Sequence, residues 1–226
     1  MLDNDLHTSF LRQVSLPKDM GEYFRDEAAE FETMMMIYNC GVKEVKTKLQ
    51  VLNDELSVMN KRNPIEFIKT RIKRPDSIVT KLKKKGLPVS VSAVRQNLND
   101  VAGVRVICSF IDDIYRVADM LMAQDDIVVH KIKDYIKHPK SNGYRSLHLI
   151  VEVPVFFSDH KEMVRAEVQI RTIAMDFWAS LEHQVKYKKD VRDAENIVYE
   201  LRACADVINR TDYHMQSIRD KIVEIE

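Results

Sequence analysis

Val164-Arg-Ala-Glu-Val-Gln-Ile-Arg171 alternates apolar and polar residues without a break. Val164, Ala166, Val168 and Ile170 fall on one side, and Arg165, Glu167, Gln169 and Arg171 on the other. Successive side chains of a strand point to opposite faces, so this is a half-buried strand with one face on a core. Its second face sets out an acid, an amide and two cations in a row. A solvated sheet face carries the same pattern, so the alternation speaks for architecture and leaves function open.

Toward the N-terminus, the apolar runs Leu147–Val153 and Ile127–Ile132 also read as strands. Between them lies Asp134–His148, Asp-Tyr-Ile-Lys-His-Pro-Lys-Ser-Asn-Gly-Tyr-Arg-Ser-Leu-His. Pro139, Ser141, Asn142 and Gly143 make this a loop, because they favour turns over a helix or a ladder. The loop carries Lys137, His138, Lys140, Tyr144, Arg145 and His148. Cations with a presented ring suit a nucleotide: the charges meet phosphate, and stacking a base on the ring is worth roughly 1–3 kcal/mol. The plainer alternative is a solvated hairpin whose Tyr144 folds back onto the core.

Val101–Phe110 reads as a further strand, interrupted by Arg105 and preceded by Asn99-Asp100. Asp100, at the strand mouth, is either a metal carboxylate or the cap of a turn. Asp112–Ala123 has Ile114, Val117, Ala118 and Leu121 on one helical face. Lys69–Lys85 holds eight Lys and Arg against the single acid Asp76. Thr70–Lys73 reads as a short strand, and Asp76 or Ser77 as the cap of a helix that buries Ile78 and Leu82. Arg71, Lys73 and Lys81 would then converge near a helix N-terminus, where an anion is favoured. An ordinary solvated basic face and a nonspecific RNA-binding surface are the alternatives.

Beyond the quoted strand, Thr172 caps a helix over Ile173–Lys189. Phe177, Trp178, Leu181 and Val185 form its apolar stripe, and Asp176, Ser180 and His183 line another face.

A heptad pattern stands at each end of the chain. Phe24, Ala28, Phe31, Met35, Tyr38, Val42, Val45, Leu49, Leu52 and Leu56 alternate in fours and threes, with Gly41 as a possible kink. A helix of ~35 residues spans ~50 Å, so one end should project or meet another subunit. Ile197, Leu201, Cys204, Ile208, Thr211, Met215, Ile218, Ile222 and Ile225 repeat the spacing, with the polar Thr211 placed to set register. Three units follow: residues 1–62, a loose arm (1–20) and the first heptad helix; 63–190, the central unit; and 191–226, a helix for oligomerisation.

The chain has 226 residues, 45% of them hydrophobic, with formal net charge +0 and pI about 7.1. No global field draws it to DNA or to a membrane. Cys40, Cys108 and Cys204 are odd in number, far apart and without zinc spacing, which favours reduced thiols in the cytoplasm. The acidic start Met-Leu-Asp-Asn-Asp-Leu-His is not a signal peptide, and no run approaches the ~18 apolar residues of a membrane helix.

Taken in order, several segments match one family. They are Asn-Pro-Ile-Glu (63–66), Arg-Ile-Lys-Arg-Pro-Asp-Ser-Ile (71–78), Lys-Leu-Lys-Lys-Lys-Gly (81–86) and Asp-Val-Ala-Gly-Val-Arg-Val-Ile-Cys (100–108). Asp-Tyr-Ile (134–136), Ser-Asn-Gly-Tyr-Arg-Ser-Leu-His (141–148), Glu-Val-Gln-Ile-Arg-Thr (167–172) and Ala-Met-Asp-Phe-Trp-Ala-Ser-Leu-Glu-His (174–183) complete the set. From about Asn63 to Lys188 the chain resembles the small alarmone synthetases of the RelA/SpoT family. Ile173–Trp178 is most similar to the RelP type.

The resemblance implies an α+β fold, a nucleotidyltransferase-like mixed sheet flanked by helices, with long helices at both ends. It implies Mg²⁺-dependent transfer of the β,γ-pyrophosphate of ATP to the 3′-hydroxyl of GDP or GTP, releasing AMP and (p)ppGpp in the stringent response. It also implies a homotetramer. By position, Arg71, Lys73, Ser77 and Lys81 would hold ATP, with Arg105 on the adenine. Asp100 and Glu167 would be catalytic and bind Mg²⁺, Glu167 also serving as base. Tyr144 would stack on guanine, with Lys140, Gln169, Asp176 and His183 lining the GDP/GTP site. The family's hydrolase His-Asp pair does not occur, so synthesis without degradation is expected. A catalytically silent nucleotide- or RNA-binding oligomer is the alternative.

Overall fold

In the computed structural model the structure describes residues 21–59, 62–186 and 194–223, with side chains described for 27–59, 62–184 and 196–222. The described elements run α1 (Gly21–Met59), β1 (Ile65–Ile72), α2 (Pro75–Lys84), α3 (Val91–Asn97), β2 (Ala102–Cys108), α4 (Ile111–Met122), β3 (Val128–Asp134), β4 (Leu147–Phe156), β5 (Lys161–Thr172), α5 (Ile173–Lys186) and α6 (Ala194–Val223). The strands form one mixed sheet in the order β1-β2-β5-β4-β3. The β2–β5 pair is parallel and the other pairs are antiparallel. This is the expected α+β architecture with long terminal helices.

The strand alternation survives into the sheet. Val164, Ala166, Val168 and Ile170 are buried, and the register sets Leu149, Val151 and Val153 of β4 and Val104 and Val106 of β2 beside them. Over this face lie α1 and α4. Helix α1 contributes Met34, Tyr38, Val42, Val45, Leu49, Leu52 and Leu56, and α4 contributes Ile114, Val117 and Leu121. Removing each such side chain from water is worth ~1.5–3 kcal/mol, which ties the long helix to the sheet.

The heptad seam of α1 therefore packs within its own chain from Tyr38 to Leu56, on the sheet and beside α4. A helix lying on a sheet needs the same apolar stripe as one in a coiled coil. Residues 27–33 are mostly exposed, with Phe31 half-buried against the core. The side chain of Phe24 and the arm at 1–20 lie outside the described residues. From Gly21 to Met59 the helix runs without a break through Gly41. A Cβ there would stand 2.5 Å from Val164 Cγ1, so the glycine lets the helix approach β5.

Other boundaries shift for local reasons. The short basic strand is longer, Ile65–Ile72. Neither Asp76 nor Ser77 caps α2: Pro75 opens it, with Arg74 in the extended N-cap position and no side-chain cap. Proline's fixed φ and missing N–H suit a first turn. Helix α3 escaped the sequence reading; its Ser90 side chain accepts from Ala93 N. Thr172 does cap α5, its hydroxyl accepting from Met175 N at 3.1 Å. The expected stripe of α5 divides: Trp178 is buried, together with Met175 outside the stripe, while Phe177 and Leu181 are exposed. The side chain of Val185 and residues 187–189 lie outside what is described.

Of the seam read along α6, Ile197, Leu201 and Ile208 are half-buried and the remaining described positions are exposed within the single chain. Ala205 and Asp212 are buried, while Met215, Ile218 and Ile222 are exposed and Thr211 bonds back to Val207 O. Ile225 lies outside the described residues. Helix α6 packs on α5, and Arg219 bonds both carboxylate oxygens of Asp112 on α4.

Candidate active site

The register lines up two rows on the sheet face away from α1. One runs Lys69, Arg105, Gln169, His148, Lys133, and the next Arg71, Gly103, Glu167. Parallel pairing of β2 with β5 sets Gly103, which has no side chain, beside Glu167. Asp100, just ahead of β2, marks one end of this face.

Asp100 draws the basic segment together. Its Oδ2 takes Lys73 Nζ at 3.0 Å, from just past β1, and Lys81 Nζ at 2.6 Å, from α2. Lys73 N donates to Val101 O at 2.8 Å, which fixes that crossing. Burial pushes the Asp100 carboxyl up, but the two lysines outweigh it and hold it below the usual carboxylate range. Both lysines use Oδ2, and Oδ1 is buried without a hydrogen bond.

Glu167 begins a second network. Its Oε1 lies 3.1 Å from His148 Nδ1, and Oε2 accepts from Gln169 Nε2 at 2.9 Å. His148 Nε2 lies 2.8 Å from the Tyr144 hydroxyl, which accepts from Arg171 Nη2 at 2.6 Å. Burial holds the His148 pKa below its ordinary value despite the hydrogen bond to Glu167, so the ring is neutral near pH 7. Its partners then assign the tautomer: Nδ1–H donates to Glu167, and Nε2 accepts from Tyr144. Burial raises the Glu167 pKa, but the bonds from His148 and Gln169 prevail and the net shift is downward. The charge of Asp100 opposes that shift, so the two carboxylates act on one another.

Arg171 is the hub of this half. It reaches Tyr144 OH, Gln169 Oε1 at 3.1 Å, Asp176 Oδ1 at 3.1 Å and Ser146 Oγ at 3.4 Å. Asp176 Oδ1 also takes Arg105 Nη1 at 3.2 Å. The Arg171–Asp176–Arg105 chain thus joins the Tyr144 side of the sheet to the β2 side.

The loop between β3 and β4 presents Tyr144 half-buried. Asp134 Oδ1 accepts from Ile136 N and Lys137 N, closing the first turn. Gly143 has φ +87°, which favours glycine. Lys140 Nζ lies 4.6 Å from the Tyr144 ring centre and 4.8 Å from that of Tyr135. The ring neither lies free nor folds into the core; its hydroxyl is tied to His148 and Arg171.

Of the residues singled out in the sequence, Asp100, Lys73 and Lys81 come together, as do Glu167, Gln169 and Tyr144, with Asp176 and Arg105 joined through Arg171. Arg71 is exposed on β1 opposite Gly103. Ser77 is exposed in the first turn of α2, its N–H on Asp76 Oδ1. His183 is exposed on α5. The roles of Arg171 and His148 were missed. Arg171 did stand in the alternation with Glu167 and Gln169, but its burial depends on the loop and α5 closing over it.

A family model described as a region found in RelA/SpoT proteins matches residues 70–192. The chain is 42% identical over 193 residues to the GTP pyrophosphokinase YwaC of Bacillus subtilis (strain 168), covering 85% of this chain and 92% of that protein. It resembles the crystal structure of small alarmone synthetase 1 from Bacillus subtilis bound to its product pppGpp: TM-score 0.77, 34% identity, 85% of this chain and 97% of that one. The same enzyme bound to AMPCPP matches with TM-score 0.72 and 32% identity, covering 87% of this chain and 99% of that one.

Proposed function

The chain belongs to the RelA/SpoT family, and from that premise we propose that it is a GTP pyrophosphokinase that makes (p)ppGpp from ATP and GDP or GTP. The observation that carries the reading is the pair of carboxylates, Asp100 and Glu167, on one sheet face between two unlike neighbourhoods. On one side stand the cations Arg71, Lys73 and Lys81; on the other, the aromatic loop with Tyr144 and Lys140.

In this reading the 3′-oxygen of the guanosine nucleotide attacks the β-phosphorus of ATP. The bond from that phosphorus to the bridging α-phosphate oxygen breaks, AMP leaves, and the 3′-hydroxyl proton passes to Glu167. Lys73, Lys81 and Arg71 clamp the phosphoryl chain, where charge stabilisation outweighs covalent assistance. Arg105 supports the adenine. Tyr144 and Lys140 hold the guanine, Gln169 and Asp176 frame that site with His183 at its margin, and Ser77 stands on the ATP side, in the first turn of α2. A carboxylate held below its usual range is a weak base, which suits a loose transition state where the proton leaves late.

Asp100 and Glu167 also fit Mg²⁺. Asp100 Oδ1 is a buried oxygen without a partner, and the two acids are electrostatically coupled. Among the described residues no group of three or more metal-binding side chains gathers, and Mg²⁺ takes one or two carboxylates plus substrate phosphates. When bound, the ion neutralises charge on the phosphoryl oxygens.

Thin-layer chromatography of γ-labelled ATP incubated with the protein, Mg²⁺ and GDP or GTP tests the reading. Label is expected in a guanosine product, released AMP only when both nucleotides are present, and neither after EDTA. Label that stays in ATP in every lane favours a silent nucleotide-binding oligomer.

Phe177, Leu181, Val207, Met215, Ile218 and Ile222 are exposed along α5 and α6. Exposed apolar side chains along both helices support self-association, as a homotetramer in this reading. Light scattering is expected to return about four times the 26.4 kDa chain mass; a monomer mass removes the assignment. No helix among the described residues is long and apolar enough to cross a membrane. A cytoplasmic site of action completes the proposal, resting on the cysteine usage.

A further inference from the structure

Arg145 follows the ring-bearing Tyr144, yet it bonds to none of the groups assigned above. Its Nη2 donates to Asp206 Oδ1 at 2.9 Å, and its Nη1 to Ala205 O at 3.3 Å, both on α6. Nη1 also reaches back to Gly143 O at 3.2 Å. The Arg145 side chain is 12% exposed, whereas Asp206 is 52% exposed.

Gly143 meets the same helix. A Cβ on it would stand 2.6 Å from Ala205 Cβ and 3.2 Å from Arg202 Cα, so the loop backbone lies directly against α6. The helix is itself held at that level, because Trp178 Nε1 of α5 donates to Leu201 O at 3.0 Å. The loop's other flank is tied to α5, where Asn142 Nδ2 donates to Glu182 Oε1 at 2.9 Å. Asn142 Oδ1 accepts from Tyr144 N at 3.2 Å, which passes this anchoring to the ring-bearing residue.

We infer that Arg145 is a positioning residue: with Gly143 it hangs the acceptor loop on α6, so the seat of α6 sets where Tyr144 stands. This rests on the reading of Tyr144 as the guanine platform. Among the described residues, the phosphate-clamping part of the donor side, Lys73, Lys81 and Asp100, makes no bond to α6. Lys73, Lys81 and Asp100 belong to the opposite end of the sheet and bond among themselves. Disturbing the α6 contact therefore changes acceptor binding and spares ATP. A half-exposed carboxylate contributes little to global stability, so Asp206 can be altered without unfolding the chain.

The experiment measures KM separately for GDP and ATP, with the thermal midpoint, in four variants. Asp206→Ala is expected to raise KM for GDP roughly three- to tenfold, the scale of one lost charge-assisted bond. KM for ATP and the thermal midpoint should hold, and Asp206→Glu should restore GDP binding. Gly143→Ala, strained at positive φ and crowded by Ala205, is expected to raise KM for GDP on the order of a hundredfold, again sparing ATP. Equal changes in both KM values, or none in either, overturn the inference. Tyr144→Ala, run alongside, separates the failures. An unmoved KM for GDP in that variant removes the guanine reading itself. A raised one, with Asp206→Ala and Gly143→Ala silent, removes only the role of Arg145.

Discussion

Replacing Glu167 with Gln is expected to reduce alarmone synthesis about a thousandfold while ATP binding largely persists. The size follows from the two roles proposed for this carboxylate, proton acceptor and metal ligand, the first alone contributing ~10²–10⁴-fold. The ATP clamp does not depend on Glu167, since Lys73 and Lys81 converge on Asp100. The change is nearly isosteric, and the new amide oxygen still accepts from His148 Nδ1, 3.1 Å away in the native chain. Its amide nitrogen, however, would face the Gln169 Nε2 that now donates to Oε2. That donor–donor contact should cost about 1 kcal/mol locally, too little to explain a thousandfold loss. Single-turnover transfer and calorimetric titration with a non-transferable ATP analogue separate the effects. A variant that keeps more than about a tenth of the native rate removes Glu167 from both roles, because either one should contribute more than tenfold.

What the sequence could say about this arrangement follows from the reach of each signal. Strand parity is local: the period of two over Val164–Arg171 places Glu167 and Gln169 on the site face with no knowledge of neighbours. The heptads are local too, but a stripe of fours and threes does not name what covers it. In α1 the stripe lies on the sheet of its own chain; in α6, Met215, Ile218 and Ile222 along it are exposed. Helix α3, seven residues long, is shorter than the window in which helical periodicity emerges. The polar network was least legible. Arg105 meets Asp176 across 71 positions and Arg171 meets Tyr144 across 27, and such pairings are set by sheet register and by the seat of α5. The motifs named the residues of the site, whereas the fold decides which carboxylate each cation answers.

Arg171 carries the second large effect, and Arg171→Ala is expected to weaken both the fold and the use of GDP. The residue is 4% exposed, and its side chain donates to Tyr144, Gln169, Asp176 and Ser146. Removing one partner of a buried ion pair costs about 3–5 kcal/mol when the other charge is stranded. Here Asp176 keeps Arg105 at 3.2 Å, so the loss should fall lower, about 2–3 kcal/mol, readable by urea denaturation. The functional loss has another origin. Without Arg171, the Tyr144 hydroxyl keeps only His148, and the cation 5.1 Å from its ring centre is gone. A ring freed to move by an ångström should lower kcat/KM for GDP by roughly a hundredfold. Arg171→Lys discriminates between the two effects: a lysine restores charge beside Asp176 but cannot span four acceptors with one ammonium. Stability should return in that variant and GDP use should not. If both recover together, Arg171 matters to the acceptor site only through the fold.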